Sequence, residues 1–365
     1  MLLGTSLFRH KAAGGPPASY LYTWGAAAGG ELGNGDAGTN KSSPMQIGSD
    51  EWNQISVGKT HMMAIRSDGM LFAWGDNSNG QLGDGTVTNR SSPVQIGSSS
   101  WVAVACGYNN SFGIRTDGAL FSWGSGYRGV NCLGDTSNRS SPVQVGSSSW
   151  TFVAASGVST KLIRSDFALF SCGYGGYGNN GTNTSANTSS PVQVGTSSWI
   201  SVGTERHTLA VRSDGALFTW GWNTTGQLGN STSGFGTQKS SPVQIGSSSW
   251  TMVHCGVKWS SAVRTDGGLF NWGFDSFYGN LGLGGIGSQS SPVQVGSSAW
   301  VDIGTGAYHA IAVRSGGALF AWGKGSGGLL GDNSTANKNS PVQVGSGTGW
   351  TQVSVGVSAS AGLGS

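Results

Sequence analysis

One short pattern recurs along this chain at a nearly constant interval and constrains its fold more than any other feature. Its clearest copy is Ala64–Gly75, in which Ile65 precedes a Ser-Asp-Gly turn and Leu71, Phe72 and Trp74 follow it. Asp-Gly between two strand-forming runs favours a β-hairpin, because Gly tolerates the positive φ of a tight turn. The other copies are Ile114–Gly124, Ile163–Gly173, Val211–Gly221, Val263–Gly273, Val313–Gly323 and a shortened one at Leu21–Gly25. The repeat period of about fifty residues predicts a repeat architecture.

Each repeat contains four short runs with strand character, separated by loops rich in Gly, Ser and Asn. In the first complete repeat these are Trp52–Val57, His61–Ile65, Met70–Trp74 and Ser92–Ile96, which we call strands A to D. No run has helical periodicity, so the sequence predicts an all-β protein. Four-stranded units repeated at this interval are typical of a β-propeller, in which each blade buries its faces against its neighbours.

The two ends of the chain predict how the propeller closes. The chain starts with strands C and D and ends with strands A and B, so six complete units and one divided unit remain. We therefore expect a closed seven-bladed β-propeller of four-stranded antiparallel blades, with one blade shared between the N- and C-termini. This propeller is expected over residues 19–365. Residues 1–18 have no counterpart in the repeats and are expected to form an N-terminal arm and candidate anchor.

Composition narrows the classes of partner. Charged residues make up only 10% of the chain, but 15 Trp and 13 Phe supply core material that disordered chains lack. A net charge of +3 without a dense Lys/Arg run argues against nucleic-acid binding. No apolar run is long enough to cross a bilayer, so membrane insertion is not expected.

The four cysteines share no metal-ligand spacing, and we expect buried thiols rather than a disulfide framework.

The repeat resembles the regulator-of-chromosome-condensation repeat. The matching positions are Gly58, His61, Ala64-Ile65, Asp68-Gly69, Leu71-Phe72 and Trp74-Gly75, followed by Gly80–Gly85. The resemblance implies a seven-bladed propeller and a binding role, since the founding member is a chromatin-bound nucleotide exchange factor and other members bind many partners. The short, near-identical repeats with Ser-Ser-Pro-Val-Gln-Val-Gly are also similar to those of bacterial and phage proteins, including virion proteins.

Sequence variation is concentrated in one set of loops. In an up-and-down blade the A–B and C–D loops lie on one face, and loops on a rigid scaffold often carry binding. The aromatic residues and the arginine that we expect to form a partner-binding face are Tyr127, Arg128, Tyr174, Tyr177, Trp222, Phe235, Trp259, Phe274, Phe277, Tyr278 and Tyr308. The alternative is that these rings only fill gaps between neighbouring loops.

Other residues that attract a functional interpretation have a simpler structural one. His61, His207 and His309 occupy equivalent positions in separate blades, too far apart to share a metal ion, so we expect structural hydrogen bonds. The hairpin aspartates (Asp68, Asp117, Asp166, Asp214 and Asp266) are expected to bond turn backbone, with the neighbouring arginines pairing locally. No catalytic residue, metal site or cofactor site is predicted, and the chain is not expected to be an enzyme.

The fourth repeat departs from the others at two positions. Phe167 replaces the turn glycine, so we expect a different turn type. Cys172 replaces the tryptophan, which leaves space that Tyr174 and Tyr177 are expected to fill. The sequence therefore predicts that this blade is the least regular.

Three functions remain open from the sequence. The first is a non-enzymatic binding or structural propeller that mediates protein or host-surface contacts in a virion or cell-surface assembly; otherwise the expected location is cytoplasmic. The second is regulation of a small GTPase as a guanine-nucleotide exchange factor. The third is carbohydrate binding, in which rings such as Trp222 stack on sugars.

Overall fold

The computed structural model describes residues 19–365 and is built from antiparallel β-strands; the predicted arm at 1–18 lies outside the described residues. The strands are β1 Tyr20–Gly25, β2 Lys41–Val57, β3 His61–Arg66, β4 Met70–Gly75, β5 Arg90–Cys106, β6 Asn110–Arg115, β7 Ala119–Gly124, β8 Arg139–Ala155, β9 Ser159–Arg164, β10 Ala168–Gly173 and β11 Thr188–Thr204. They continue with β12 His207–Arg212, β13 Ala216–Gly221, β14 Lys239–Cys255, β15 Trp259–Arg264, β16 Gly268–Gly273, β17 Gln289–Thr305, β18 His309–Arg314, β19 Leu319–Gly323, β20 Lys338–Gln343, β21 Gln352–Val355 and β22 Ala359–Gly364. Short 3₁₀ turns lie at Tyr127–Gly129, Gly176–Gly178 and Ser326–Gly328.

Strands D and A of successive repeats form one continuous strand, which the sequence did not predict. The strands β2, β5, β8, β11, β14 and β17 each have 17 residues and pass from one four-stranded sheet into the next. In β5, the Gly-Ser-Ser-Ser stretch between strands D and A stays extended: Gly97 has φ 62° and Ser100 pairs with Met70. One positive-φ glycine thus redirects the strand without ending it.

The pairings repeat with the same register from sheet to sheet. We number the sheets by the C strand of each, so that sheet 1 contains β1, sheet 2 β4, sheet 3 β7, sheet 4 β10, sheet 5 β13, sheet 6 β16 and sheet 7 β19. Sheet 1 joins the two ends of the described chain, because β1 pairs with β22 and Leu21 lies opposite Leu363. The predicted pairing of the chain ends is therefore confirmed.

A buried tryptophan on strand C locks most sheets to the preceding one. The Trp123 indole of sheet 3 donates from Nε1 to the Gln81 carbonyl oxygen of sheet 2 at 2.9 Å. The ring lies against Gly83, where an added Cβ would stand 2.7 Å from Nε1. Equivalent bonds of Trp24, Trp74, Trp220, Trp272 and Trp322 reach Leu329, Glu31, Asn179, Gln227 and Asn280. We call each of these contacts between neighbouring sheets a joint. Each tryptophan joint buries a large apolar ring and gives its single N–H donor an acceptor.

The joint between sheets 3 and 4 uses a disulfide instead. Cys172 stands at the tryptophan position, and Cys132 stands at the position of Gly83 in the preceding loop. Both are buried and bonded to each other, with their Cα atoms 5.7 Å apart. The expectation of thiols is therefore wrong for these two cysteines, while Cys106 and Cys255 are free. Cys132 occupies the space that Tyr174 and Tyr177 were expected to fill.

The fourth sheet is as regular as its neighbours, contrary to the sequence prediction. The β9–β10 pairing, from Leu169↔Ile163 to Gly173↔Ser159, matches the pairing in other hairpins. Phe167 adopts φ 69° and its N–H donates to the Arg164 carbonyl oxygen at 2.9 Å, as Gly69 does to Arg66. The turn type is thus unchanged, because the surrounding strands hold Phe167 in the left-handed region.

Candidate partner-binding face

The A–B and C–D loops lie together on one face, as predicted. The residue that follows strand C donates to the preceding A–B loop in several sheets: Asp76 N to the Thr60 carbonyl at 2.8 Å, and Ser125 N to the Asn109 carbonyl at 2.7 Å. These short bonds tie the two loops of a sheet into one rigid surface. The variable residues of the chain therefore occupy a common face.

Rings and cations on this face form a continuous row, which we call the aromatic arc. Arg128 of sheet 3 lies over the rings of Tyr127 at 5.0 Å and Tyr174 at 4.2 Å. Tyr174 meets Tyr177 edge-on at 6.5 Å, and Tyr177 stacks on Trp222 at 5.9 Å with an interplanar angle of 27°. The sequence-predicted residues of sheets 3, 4 and 5 thus contact one another.

The arc continues into sheet 6 through cations. Arg206 and Lys258 both lie 5.3 Å from the Trp222 ring, and Lys258 also lies 5.6 Å from the ring of Phe274. A second cluster follows on sheets 6 and 7, where Tyr278 and Tyr308 meet at 5.6 Å and Lys324 lies 5.5 Å from Tyr278. Arg206, Lys258 and Lys324 lie on the A–B and C–D loops of this face, and the sequence did not predict their placement over the rings.

Several of these rings remain accessible although they contact each other. Phe235 and Phe277 are 94% and 90% exposed, and Tyr127, Tyr177 and Tyr308 are also exposed. Arg128, Tyr174, Trp222, Phe274 and Tyr278 are half-buried. The alternative role as gap-fillers therefore fits the half-buried rings only, because Phe235 and Phe277 project into solvent.

Trp259 does not belong to this surface. It is 1% exposed and donates from Nε1 to the Gly306 carbonyl oxygen at 3.2 Å. Trp259 starts strand β15 at the position that His61 occupies in β3, so its side chain points into the joint between sheets. Trp259 was assigned to the loop from the sequence, although the equivalent His61 was predicted to begin strand B.

The three equivalent histidines are structural, as predicted. Nε2 of His61, His207 and His309 lies 2.9, 2.8 and 3.0 Å from the hydroxyls of Ser111, Ser260 and Ser360 in the next sheet. Burial lowers the pKa of His61 to about 4 and those of His207 and His309 to about 3, which keeps the rings neutral. Within residues 19–365, no group of three or more His, Cys, Asp or Glu side chains could hold a metal ion.

A cavity opens on the same face, lined by the A–B loops of all the numbered sheets. Its lining includes Gly58, Gly107, Gly256, Gly306 and Gly356, which occupy one equivalent position. Sheet 5 instead has Glu205 there, and sheet 4 has Ser156. A second cavity is lined by strand A residues of the same sheets, such as Val104 and Val253.

Glu205 is the one carboxylate among the residues that line the first cavity, between the A–B loops. It is 5% exposed, and burial raises its pKa to about 7, although a hydrogen bond from Tyr108 opposes the shift. Burial and the nearby Glu205 carboxylate also raise the pKa of Tyr108. The sequence offered no signal for this pair, because the two residues lie in different loops of the face and repeat nowhere else.

The opposite face is uniform. The hairpin carboxylates accept bonds from turn backbone, as Asp166 Oδ1 does from Ala168 N at 3.1 Å, and Arg164 pairs with Asp166 at 2.6 Å. This bond lowers the pKa of Asp166 to about 2. Arg66, Arg212 and Arg264 pair in the same way, which confirms the local pairing predicted for these arginines.

Two matches to family models place this chain among known proteins. Residues 18–296 match the RCC1-like domain, and residues 316–363 match the regulator of chromosome condensation (RCC1) repeat. The first match alone covers more than half of the chain, so the protein belongs to the RCC1-like domain family. The resemblance seen in the hairpin motif is thereby confirmed at the level of the family.

Solved structures show the same fold at low sequence identity. Human WBSCR16 superposes with a TM-score of 0.84 at 21% identity, covering 95% of this chain and 99% of that one. Prp20p from Saccharomyces cerevisiae gives 0.82 at 18% identity, covering 95% and 91%. These likenesses support an all-β fold of the RCC1 propeller type.

Curated relatives match only a short segment. The X-linked retinitis pigmentosa GTPase regulator homolog of Caenorhabditis elegans is 38% identical over 66 residues, which is 17% of this chain and 5% of the relative. The human E3 ubiquitin-protein ligase HERC2 is 36% identical over 70 residues, which is 18% of this chain and 1% of the relative.

No helix among the described residues is long and apolar enough to span a membrane.

Proposed function

We propose that this protein is a non-enzymatic binding propeller whose aromatic arc docks a partner protein. The observation that carries the proposal is the continuous row of rings and cations from Tyr127 to Phe274, built by four consecutive sheets on one face. Aromatic and arginine side chains are enriched where interfaces gain most of their binding energy. The opposite face offers only repeated hairpin turns.

We also propose that the sheets close into a ring of seven blades. Two contacts support closure: the pairing of β1 with β22 joins the two ends of the described chain within sheet 1, and the Trp24–Leu329 bond joins sheet 1 to sheet 7. The cavity lined by equivalent residues of every sheet supports it too. A closed ring of blades leaves no long exposed sheet edge and gives the arc a rigid support.

A small GTPase is the first partner class to test. The C. elegans relative is named a GTPase regulator homolog, and Prp20p is described with its binding properties to Gsp1p and histones. Both names concern other proteins, so they motivate the choice of partner only. The narrower idea of a virion or cell-surface component of bacterial or phage type rests on the repeat resemblance alone.

The test is binding of purified small GTPases, with nucleotide release measured in the same samples. The variant Tyr177→Ser/Phe277→Ser removes two exposed rings and should weaken binding about tenfold or more. Phe167→Gly is the matched control, because it removes an exposed ring from the opposite face and restores the repeat residue. Equal losses in both variants would contradict docking on the arc, and binding on a glycan array instead would favour the carbohydrate alternative.

A further inference from the structure

The cations of the partner-binding face differ from the other basic residues of the propeller. Most hairpin arginines pair with a neighbouring carboxylate, as Arg212 does with Asp214 at 2.6 Å. Four cations of the face, Arg128, Arg206, Lys258 and Lys324, form no ion pair with a carboxylate among residues 19–365. Each is instead positioned over one or two rings.

The acids in the same loops do not neutralise these cations. Glu205 is buried in the cavity, where it accepts a hydrogen bond from Tyr108, and of the four cations it interacts electrostatically with Arg206 beside it. Asp275 is buried in its own loop, where its carboxylate accepts bonds from Leu281 N at 3.2 Å and Gly287 N at 3.0 Å. Asp135 pairs with Arg139 at 2.6 Å, and Asp332, in the loop of Lys324, pairs with Lys338 at 3.5 Å. The four cations, of which Arg206 is exposed and the other three are half-buried, therefore lie on the rings without an ion pair to a carboxylate, and only Arg206 has an acid beside it. The surface carries net positive charge within a chain of low charge.

We propose that the aromatic arc and the adjoining Tyr278–Tyr308–Lys324 cluster bind an acidic segment of the partner protein. This inference rests on the proposed function and specifies the chemistry of its partner. Asp and Glu side chains would pair with the four cations, and apolar side chains between them would cover Phe235 and Phe277, which project at the loop tips. Because the rings already hold the cationic side chains in place before the partner binds, these side chains lose less conformational entropy when the carboxylates bind.

An acidic protein segment fits this surface better than a nucleic acid does. Single-stranded nucleic acids bind by stacking bases on free ring faces. Here Arg128 covers Tyr174 at 4.2 Å, and Tyr177 and Trp222 stack on each other at 5.9 Å. Bases would have to displace these contacts, whereas carboxylates need only reach the outward cations.

The test measures binding of defined peptides to the purified protein by fluorescence anisotropy. The probe is a labelled peptide in which Glu alternates with Phe, and its neutral counterpart has Gln in place of Glu. We expect the Glu peptide to bind about tenfold or more tightly than the Gln peptide, with a difference that falls as salt is added. The variant R128Q/R206Q/K258Q/K324Q should lose that difference, while R164Q on the opposite face should keep it.

Three results would overturn the inference: equal binding of the two peptides, an unchanged difference in the fourfold variant, or tighter binding of a single-stranded oligonucleotide. Failure of the charge inference is separable from failure of the proposed function. A partner lost in Tyr177→Ser/Phe277→Ser but retained in the fourfold variant would leave docking on the arc intact and remove the acidic segment. Matching denaturation midpoints of the variants exclude unfolding as the cause.

Discussion

Two joints between neighbouring sheets solve the same packing problem in different ways. Between sheets 2 and 3, the Trp123 ring fills the interface and its Nε1 bonds to the Gln81 carbonyl, which requires the small Gly83. Between sheets 3 and 4, Cys172 and Cys132 take both places and form a disulfide. The comparison shows that the two positions vary together: a smaller residue on the strand is matched by a larger one in the loop.

The cysteine joint keeps the hydrogen-bond pattern of the tryptophan joints. Cys132 N donates to the Gly129 carbonyl at 3.0 Å, as Gly83 N does to Gly80 at 3.1 Å, and Cys132 has φ 60° where Gly83 has 79°. The Val130 carbonyl, which corresponds to the Trp123 acceptor, accepts the Thr160 hydroxyl at 2.8 Å. The backbone of the loop is thus unchanged, and only the side chains that cross the joint differ.

The largest effect should come from breaking a tryptophan joint without compensation. Trp123→Cys removes a fully buried ring while Gly83 supplies nothing in return, so a cavity remains. We expect the free energy of unfolding to fall by about 3–5 kcal/mol, measured by chemical denaturation. Adding Gly83→Cys should recover part of this loss under oxidising conditions, since it copies the natural cysteine joint. A loss below about 1 kcal/mol in Trp123→Cys would mean that the ring contributes little.

A smaller effect is expected from opening the cysteine joint. Reduction of Cys132–Cys172, verified by mass spectrometry, should lower the free energy of unfolding by about 2–4 kcal/mol, because the crosslink spans 40 residues. The control is Cys132→Gly/Cys172→Trp, which installs the pair found in the other joints. Its stability should not respond to reductant, although Cys106 and Cys255 remain as free thiols. Wild-type protein that denatures identically in both redox states would contradict a stabilising crosslink.

The sequence predicted what repeats and missed what occurs once. The hairpins, the four-stranded units and the terminal pairing of Leu21 with Leu363 follow from a pattern seen in many copies. The disulfide required two single departures, at Cys132 and Cys172, to be recognised as neighbours in different sheets. Glu205 is buried through its position in the cavity between the A–B loops, which depends on how all the sheets assemble.

The same reasoning applies to individual residues of the face. The row from Tyr127 to Phe274 could be assigned to one face by counting strands, but contacts between rings and cations depend on loop conformation. Trp259 was misplaced because its aromatic side chain suggested a loop contact, although it stands at the first residue of strand B, where the side chain enters the joint. Phe167 was expected to change its turn because local preference favours Gly there, but tertiary pairing prevails.

The smallest effect tests whether sheet 4 carries backbone strain that its neighbours lack. Phe167 is held at φ 69°, and a residue with a side chain in this backbone region costs about 1–2 kcal/mol relative to glycine. Replacing Phe167 by glycine recovers only part of this energy, because glycine has more conformational freedom in the unfolded chain. Phe167→Gly should therefore raise the free energy of unfolding by about 1 kcal/mol. The reciprocal change, Gly69→Ala in sheet 2, should lower it by a similar amount, because the added Cβ has room at 3.6 Å from Ser100 and only the φ is unfavourable. If Phe167→Gly were destabilising, the exposed ring would make contacts that outweigh the strain, and sheet 4 would differ from its neighbours in more than its joint.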